Sequence, residues 1–228
     1  MTRSLRAHGC VMSRTLAREN TRLELSRHAA RLFLSQGVAG TSGEEIAAAA
    51  GVATRTLWRH FRSKESAVEP LFAQSSFRFG AILRRWPRDM SIEELFAAHL
   101  GPDKQEPEDT ADDILVVRLL ARLPEEPALR SAWLMACHIS EEDLIEIIAE
   151  RLDRSRSDFD VRLCAATVTA AIRIVDETVS LAAVKHGLKT TTAEVNRHLA
   201  QAIRAASTLP FCDPVTPKIW PESRGEPA

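Results

Sequence analysis

Two arginines one helical turn apart, Arg55 and Arg59, carry the side chains in this sequence that best match the chemistry of nucleic-acid recognition. A guanidinium donates parallel hydrogen bonds that fit the O6 and N7 acceptors of guanine, and the methyl group of Thr56 fits a thymine methyl. Thr54 either caps the helix that carries these residues or turns toward DNA, because Ala53 before it has no side-chain oxygen. The sequence therefore predicts base contacts for Arg55 and Thr56, and a base or phosphate contact for Arg59.

Residues 42–61, SGEEIAAAAGVATRTLWRHF, supply the local structure that positions these side chains. Ser42-x-x-Glu45 has the pattern of a capping box at a helix start, and Gly51 then permits a sharp turn where a Cβ would be unfavourable. A second short helix follows over about residues 54–61. This order of elements is a helix-turn-helix, whose second helix enters the major groove.

Helical spacing recurs along most of the remaining chain, and period-2 alternation is almost absent. A capping-box pattern at Thr21-x-x-Glu24 predicts a first helix that ends at Gly37, and Ser63 predicts the start of a fourth. An acidic loop is expected over residues 101–113. Further helices are predicted over residues 92–100, 114–123, 128–138, 140–152, 157–186 and 192–206. The predicted fold class is all-α.

The net charge of −1 conceals a strong asymmetry along the chain. Residues 1–64 contain 11 basic and four acidic residues, a net charge of +7, whereas the remainder carries −8. A basic head on an acidic body suggests a polyanion-binding module joined to a part with another role.

Several classes of protein are excluded by features that the sequence lacks. No stretch approaches ~18 uncharged apolar residues, so no membrane span is predicted, and the basic first 20 residues lack the apolar core of a secretory signal. The four cysteines show neither disulfide nor zinc spacing. No phosphate-binding glycine loop, nucleophile elbow or HExxH motif occurs. We therefore predict a cytoplasmic protein that is not an enzyme and has no metal or other cofactor.

Residues 21–72 combine several motifs at fixed spacings. The motifs are Ala29-Ala30-x-Leu32-Phe33, Gly37, Thr41-Ser42, Ile46-Ala47, Ala50-Gly51-Val52, Thr56-Leu57-Trp58-x-His60-Phe61 and Ser63-Lys64-Glu65. Together they resemble the DNA-binding domain of the TetR family of transcriptional regulators. Two positions depart from the family pattern: Trp58 stands where a tyrosine is usual, and Ala53 stands where Ser or Thr often caps the recognition helix.

Contacts to DNA phosphates fix the register of such a head on the duplex. The side chains expected to make them are Thr41, Ser42, Trp58, His60 and Lys64. The resemblance supports this role for Trp58, His60 and Lys64 in particular. The alternative for Trp58 and His60 is packing of the short helix, and the alternative for Arg55, Arg59 and Lys64 is a solvated basic face.

The sequence predicts four segments: a basic flexible arm over residues 1–20, a helix-turn-helix DNA-binding domain over 21–66, a helical ligand-binding and dimerisation domain over 67–208, and a Pro-rich disordered tail over 209–228. Four arginines of the arm either follow DNA into the minor groove or belong to a disordered segment. They are Arg3, Arg6, Arg14 and Arg18. Met1 and Met12 both remain open as the true start.

Family regulators that this chain resembles are dimers whose last two long helices form a four-helix interface. Residues 157–186 and 192–206 are the matching candidates here, and two-fold symmetry makes the expected operator a palindrome. One stripe along the first of these helices consists of Val168, Ala171, Ile172, Val175, Val179 and Ala182. Small and apolar residues at this spacing fit either a dimer interface or the core of one subunit.

The resemblance also implies a small-molecule pocket in the helical body. Its candidate lining residues are bulky, soft or polar residues within apolar helices: Trp133, Met135, His138, Thr167, Arg173 and Asp176. Each of them fits core filling or the surface as well. A metal at Cys137-His138 is not expected, because adjacent helix residues point to different faces and no second pair lies at ligand spacing.

The leading hypothesis is a dimeric, ligand-responsive repressor that an unknown small molecule releases from a palindromic operator. One alternative is a DNA-packaging or adaptor protein that uses the same motif without a specific operator. Another is an activator of the same family. The long helical body favours sensing or assembly over packaging.

Overall fold

The computed structural model describes residues 2–216, with side chains described from residue 17 onward apart from that of Pro102. Within these residues the fold is all-α, as predicted, and no strand occurs. The helices are α1 Thr2–Gln36, α2 Gly43–Ala49, α3 Thr54–His60, α4 Glu69–Arg84, α5 Ile92–His99, α6 Pro107–Leu120, α7 Pro127–Leu152, α8 Phe159–Lys185 and α9 Thr192–Ala206. Short 3₁₀ turns lie at Glu65–Val68, Pro102–Lys104 and Pro210–Cys212. None of the described helices is both long enough and apolar enough to cross a lipid bilayer.

Helix α1 begins far earlier than the sequence pattern predicts. The expected start at Thr21 is wrong, because the Thr21 hydroxyl donates to the Ala17 carbonyl oxygen (2.9 Å) inside a continuous helix instead of capping a new one. The backbone is helical from Thr2, where a flexible arm is predicted. No glycine or proline interrupts residues 10–36, so nothing in the sequence stops the helix. The side chains of Arg3, Arg6 and Arg14 lie outside the described residues.

Two predictions in the middle of the chain are also wrong. Residues 107–113 begin α6 rather than a loop, because Pro107 suits the first helical position and Glu108 and Asp109 complement the helix dipole. The predicted helix start at Ser140 lies inside α7, where its hydroxyl donates to the Ala136 carbonyl oxygen (2.9 Å). Hydroxyl and acidic residues at cap spacing fit a helix interior when the side chain bonds backward along the helix.

The chain divides into two compact units. The first consists of residues up to Phe79, Gln105–Ser140 and Asp176–Thr190, and the second of Gly80–Lys104, Glu141–Val175 and the residues from Thr191 onward. In the first unit, one cluster of buried side chains runs from Leu25 on α1 through α2, α3, α6 and on to Cys137 on α7. The boundary predicted at residue 67 therefore does not separate two cores.

A buried ion pair ties α1 to α6 within the first unit. Arg27 Nε and Nη2 donate to the two carboxylate oxygens of Asp112 at 2.9 and 2.8 Å, and both side chains are buried. Arg27 also contacts Glu24 and Glu108. The pKa of Arg27 is raised, chiefly by the hydrogen bond to Asp112. This bidentate geometry is the strongest form of arginine–carboxylate contact.

The second unit is held together by a buried arginine that has backbone carbonyls as its partners. Arg151 donates to the carbonyl oxygens of Phe211 (2.8 Å), Met90 (2.9 Å) and Pro87 (3.0 Å), and its guanidinium lies 3.7 Å from the centroid of the Trp86 ring. Burial lowers the pKa of Arg151. These contacts hold the segment after α9 in place.

The predicted disordered tail is therefore wrong for its first residues. Phe211 and Cys212 are buried, and the Phe211 ring packs edge-on against Trp86 at 6.0 Å between ring centroids. The Val215 N–H donates to the Arg88 carbonyl oxygen. The buried Phe211 ring and the hydrogen bond from Arg151 to the Phe211 carbonyl oxygen order a segment whose prolines suggested disorder. The rest of the predicted tail, residues 217–228, lies outside the described residues.

Candidate nucleic-acid interface

The motif over residues 42–61 forms as predicted. Ser42 caps α2: its Oγ accepts from the Glu45 N–H (3.1 Å), and the Glu45 carboxylate accepts from the Ser42 N–H (2.7 Å). That second bond is the main reason the pKa of Glu45 is lowered. Gly51 then takes a φ of +67°, a conformation that favours glycine, and the chain reverses into α3.

Buried apolar side chains fix the orientation of α3. Ile46 and Ala47 of α2, Leu57 of α3 and Phe61 after it are all buried in the core of the first unit. Burial of each large side chain stabilises the fold by about 1.5–3 kcal/mol. Because Leu57 points inward, the remaining side chains of this two-turn helix must lie at its flanks or on its outer face.

Arg55 and Arg59 lie on that outer face and are exposed. In the part of the chain that the structure describes, neither forms an ion pair, so both guanidinium groups are available to a ligand. Thr54 and Thr56 are half-buried beside them. Ala53 is the N-cap of α3 and no side chain caps the helix, so Thr54 does not supply the cap. The arrangement presents two charged donors one turn apart.

Trp58 lies against the start of α2. A Cβ on Gly43 would stand 2.2 Å from Cζ2 of the Trp58 ring, so the ring approaches the Gly43 backbone more closely than any other residue there would permit. The side chain is nevertheless 43% exposed. Trp58 thus packs between the helices on one side and offers an exposed edge on the other. Sequence reasoning missed Gly43; its signal is a glycine at the first helical position, where alanine is the better helix former.

Lys64 and Thr41 bond inside the protein. Lys64 Nζ donates to the carbonyl oxygens of Val38 and Thr41, both at 2.7 Å, and so ties the loop after α1 to the start of the following 3₁₀ turn. Thr41 is buried, and its hydroxyl donates to the Gly37 carbonyl oxygen (2.8 Å). An ammonium has three donors, and two of those of Lys64 are occupied.

His60 is half-buried at the end of α3. Its Nδ1 is buried and has no hydrogen-bond partner among the described residues. The pKa of His60 is lowered by burial first and then by the positive charges of Arg59, Arg18 and Arg22. At neutral pH the imidazole is therefore uncharged.

Comparison with known proteins identifies this motif. The family model described as "Bacterial regulatory proteins, tetR family" matches residues 26–69. The HTH-type transcriptional regulator TcmR of Streptomyces glaucescens is 32% identical over 163 residues, which cover 68% of this chain and 71% of the relative. The chain belongs to the TetR family. It is a DNA-binding transcriptional regulator of a non-enzymatic family, as the sequence predicted.

Solved structures of TetR-family proteins also match. A TetR-family regulator from Mesorhizobium loti is 20% identical, with a TM-score of 0.49 and a match over 83% of this chain and 96% of that one. A second, from Shewanella sp. PV-4, is 23% identical, with a TM-score of 0.49 and a match over 81% of this chain and 97% of that one.

Of the six candidate effector-binding residues in this TetR-family chain, Trp133 and Asp176 lie deepest within the first unit. Trp133 is buried; its Nε1–H donates to a Glu177 carboxylate oxygen (3.0 Å), and its ring meets Phe72 edge-on at 5.4 Å. Asp176 is half-buried, and burial together with the charges of Asp113 and Glu177 raises its pKa to about 7.

The other four candidates have different surroundings. Met135 is 39% exposed and His138 is also exposed, so neither lines an enclosed cavity in a single chain. In the second unit, the half-buried Thr167 donates to the Leu163 and Cys164 carbonyl oxygens (2.9 and 3.0 Å), and Arg173 is half-buried. No group of His, Cys, Asp or Glu residues suited to a metal ion occurs in the described part of the chain.

A groove of about 620 Å³ lies in the second unit between α5 and α9. Phe96 and Leu100 contribute its apolar part, and Asn196 and Arg197 contribute polar groups. None of the six candidate effector-binding residues lines it. The groove follows from the crossing of α5 and α9, which the spacing of residues within either helix does not predict.

Proposed function

We propose that this TetR-family chain is a homodimeric repressor in the cytoplasm that binds a palindromic operator through α3 and is released by a small-molecule effector. The observation that carries the proposal is the pair of exposed arginines, Arg55 and Arg59, that have no acidic partner among the described residues. They lie on a helix whose other side is anchored by Leu57. Cations left without a carboxylate and held in fixed geometry suit a polyanionic ligand.

The proposed contacts divide into two kinds. Arg55 and Thr56 read base edges, and Arg59 reads a base or a phosphate. Trp58, through its exposed edge, and His60 contact phosphates, and Thr54 lies at the start of the same helix. The polar groups of Thr41, Ser42 and Lys64 are engaged in hydrogen bonds within the head, which supports a role in holding the geometry beside any contact with a phosphate.

An exposed apolar face on α8 supports dimerisation. Phe159 is 74% exposed, Leu163 42% and Ile174 53%, and Ala170 is exposed between them. These positions are four, seven and four residues apart, so they share one face of the helix. The stripe named from the sequence is offset from this face, because its first residue, Val168, is buried within one subunit. We propose Leu163, Ala170 and Ile174 as dimer contacts.

An effector acts only if it binds the DNA-incompetent conformation more tightly than the competent one. We propose the surroundings of Trp133 and Asp176 as the region that it contacts. A carboxyl group with a pKa near 7 beside two further acids supports this choice, because its charge and hydrogen bonding respond to a ligand placed against it.

An unbiased selection of binding sites from random duplex DNA, at near-physiological salt, tests the operator. Recovery of a palindrome is expected. Retained salt-dependent binding without an enriched sequence would instead support the DNA-packaging alternative. No binding to any duplex would contradict the proposed function.

The dimer is tested by light scattering on two matched variants. Ile174→Glu should shift the protein toward monomer, because it places a charge in the proposed interface. Ile114→Glu is the control, because Ile114 on α6 is exposed to a similar extent (56%) and lies outside the proposed interface. An Ile174→Glu protein as dimeric as the control would contradict the α8 interface.

A further inference from the structure

A cluster of cations lies where α1 meets the end of α3. Arg18 and Arg22 are four residues apart, so they share one face of α1. The Arg22 guanidinium carbon lies 5.5 Å from the centroid of the Phe61 ring, and the His60 ring lies 6.3 Å from the same centroid. Arg22 and His60 thus flank one aromatic ring, and the positive charges of Arg18, Arg22 and Arg59 all act on His60.

No acidic side chain among the described residues pairs with this cluster. In the described part of the chain, none of Arg18, Arg22 and Arg59 forms an ion pair. Arg22 Nε is buried without a hydrogen-bond acceptor, as His60 Nδ1 is buried without a partner. The next arginine along α1, Arg27, is by contrast fully paired.

Like charges held close together without an anion destabilise each other. A buried guanidinium N–H without an acceptor adds a further penalty. An anion with several acceptor oxygens that enters the cluster offsets the repulsion between these charges. A phosphate diester meets that description and accepts hydrogen bonds from arginine in fixed geometry.

We propose that Arg18, Arg22, Arg59 and His60 form a binding site for one backbone phosphate of DNA, beside the base-reading residues of α3. This proposal rests on the proposed function, and it adds α1 to the DNA-contacting surface through Arg22, a residue with no predicted role. His60 donates a ring N–H to the phosphate. The two arginines of α1 complete the site.

The site couples DNA binding to a proton. The groups that face His60 are Arg18 and Arg22 from α1 and Arg59 from α3, and all three disfavour the imidazolium. A bound phosphate offsets their charge and raises the pKa of His60. The DNA complex then holds more protons than the free protein, so affinity rises as the pH falls through the range of the bound-state pKa and becomes constant below that of the free protein.

The first test compares the salt dependence of binding for two matched variants. Arg22→Gln removes the charge but keeps part of the apolar stem, and Arg31→Gln removes an exposed arginine about 180° away on the same helix. Binding to a labelled random-sequence duplex is followed by fluorescence anisotropy between about 50 and 200 mM salt. The slope of log K against log salt should fall by about 0.9 for Arg22→Gln and remain unchanged for Arg31→Gln. Arg22→Lys should restore the slope.

The second test uses pH with the same duplex. Wild-type affinity should rise as the pH falls below neutrality, and His60→Gln should flatten this dependence because glutamine keeps a side-chain donor but does not titrate. Thermal unfolding shows whether each variant is folded at the assay temperature.

Equal salt slopes for Arg22→Gln, Arg31→Gln and wild type would overturn the phosphate site. A loss of affinity in Arg22→Gln without a change in slope would also overturn it, because that result shows a structural role alone. Wild-type protein that binds no duplex would overturn the proposed function and this site with it. Binding by wild type with a pH dependence that survives in His60→Gln would overturn the role of His60.

Discussion

The two sides of α1 use arginine in opposite ways. On the side that meets α6, Arg27 is buried and its guanidinium is saturated by Asp112, with Glu24 and Glu108 close by. On the side that meets the end of α3, Arg22 has, among the described residues, no carboxylate partner and one buried N–H without an acceptor. The difference shows that position, and not residue type, decides whether an arginine stabilises the fold or remains available to a ligand.

The same contrast separates the head from the second unit. Arg151 satisfies its donors with backbone carbonyls, and Arg204 is paired with Glu93 and Asp213. Arg55 and Arg59 on α3 have no such partners in the described residues. Arginines saturated inside the protein support folding, whereas those left without a counter-charge keep their full electrostatic attraction for DNA.

The largest expected effect on the free energy of unfolding is at Arg27, the fully paired arginine of α1. Arg27→Met should lower the free energy of unfolding by about 3–5 kcal/mol, because it leaves the buried Asp112 carboxylate unpaired. Urea denaturation measures the change. The double variant Arg27→Met/Asp112→Leu should recover most of the loss, since two apolar residues replace the pair. An Arg27→Met protein as stable as the Arg22→Gln protein would contradict the contrast drawn between these two arginines.

A smaller effect is expected at Asp176, a half-buried carboxyl group whose pKa is raised chiefly by burial. The pKa of Asp176 is about 7 in the folded chain, against about 3.9 in an unfolded one. Between these values the folded state holds a proton that the unfolded state has lost, so stability is fully present below pH 4, falls as pH rises and reaches its minimum above pH 7.

Asp176→Asn should therefore stabilise the protein by about 2 kcal/mol at pH 8, roughly half of the ~4 kcal/mol that the pKa difference implies, because the side chain is only half-buried. The gain should fall to about a third of that at pH 5. Denaturation at the two pH values measures it. An equal gain at both pH values would contradict the assignment.

A variant at Lys64 tests whether this lysine stabilises the fold or contacts a DNA phosphate. Lys64→Met should lower stability by about 1.5 kcal/mol, because it removes charged donors from the Val38 and Thr41 carbonyls. The salt slope of DNA binding should stay unchanged. Lys104→Met, which removes an exposed lysine, is the control for stability. A slope lower by about 0.9 with unchanged stability would instead make Lys64 a phosphate contact.

The smallest expected effect on the free energy of unfolding is at Arg55 on α3. Arg55→Ala should change unfolding by less than about 0.5 kcal/mol, because the side chain is exposed and has no partner among the described residues. It should lose about 1–3 kcal/mol of discrimination at one base pair of a selected operator. Affinities for single-substituted operators measure this loss. Equal weakening on operator and random duplex would contradict a base-reading role and leave Arg55 as a phosphate contact.

Local sequence determined much of the fold. The capping boxes at Ser42 and Thr191, the turn at Gly51 and the buried stripe through Ile46 and Leu57 all follow from interactions within a few residues. The features at residues 42–61 indicated a helix-turn-helix, and the motifs over residues 21–72 resembled the TetR family, to which the chain belongs. Where local signals were ambiguous, as at Thr21 and Ser140, the predicted helix starts were wrong.

Tertiary structure alone decided which polar groups meet. Arg27 and Asp112 are 85 residues apart, and Arg151 and Phe211 are 60 apart, so no periodicity joins them. The contact of Trp58 with Gly43 and the face that α8 leaves exposed depend in the same way on how helices cross. Helix formation is governed by neighbours within about four residues, whereas the partners of a side chain are set by packing across the whole core. The sequence by itself thus determined the helix-turn-helix and its basic charge, and the packing of the core decided which arginines lack an acidic partner among the described residues.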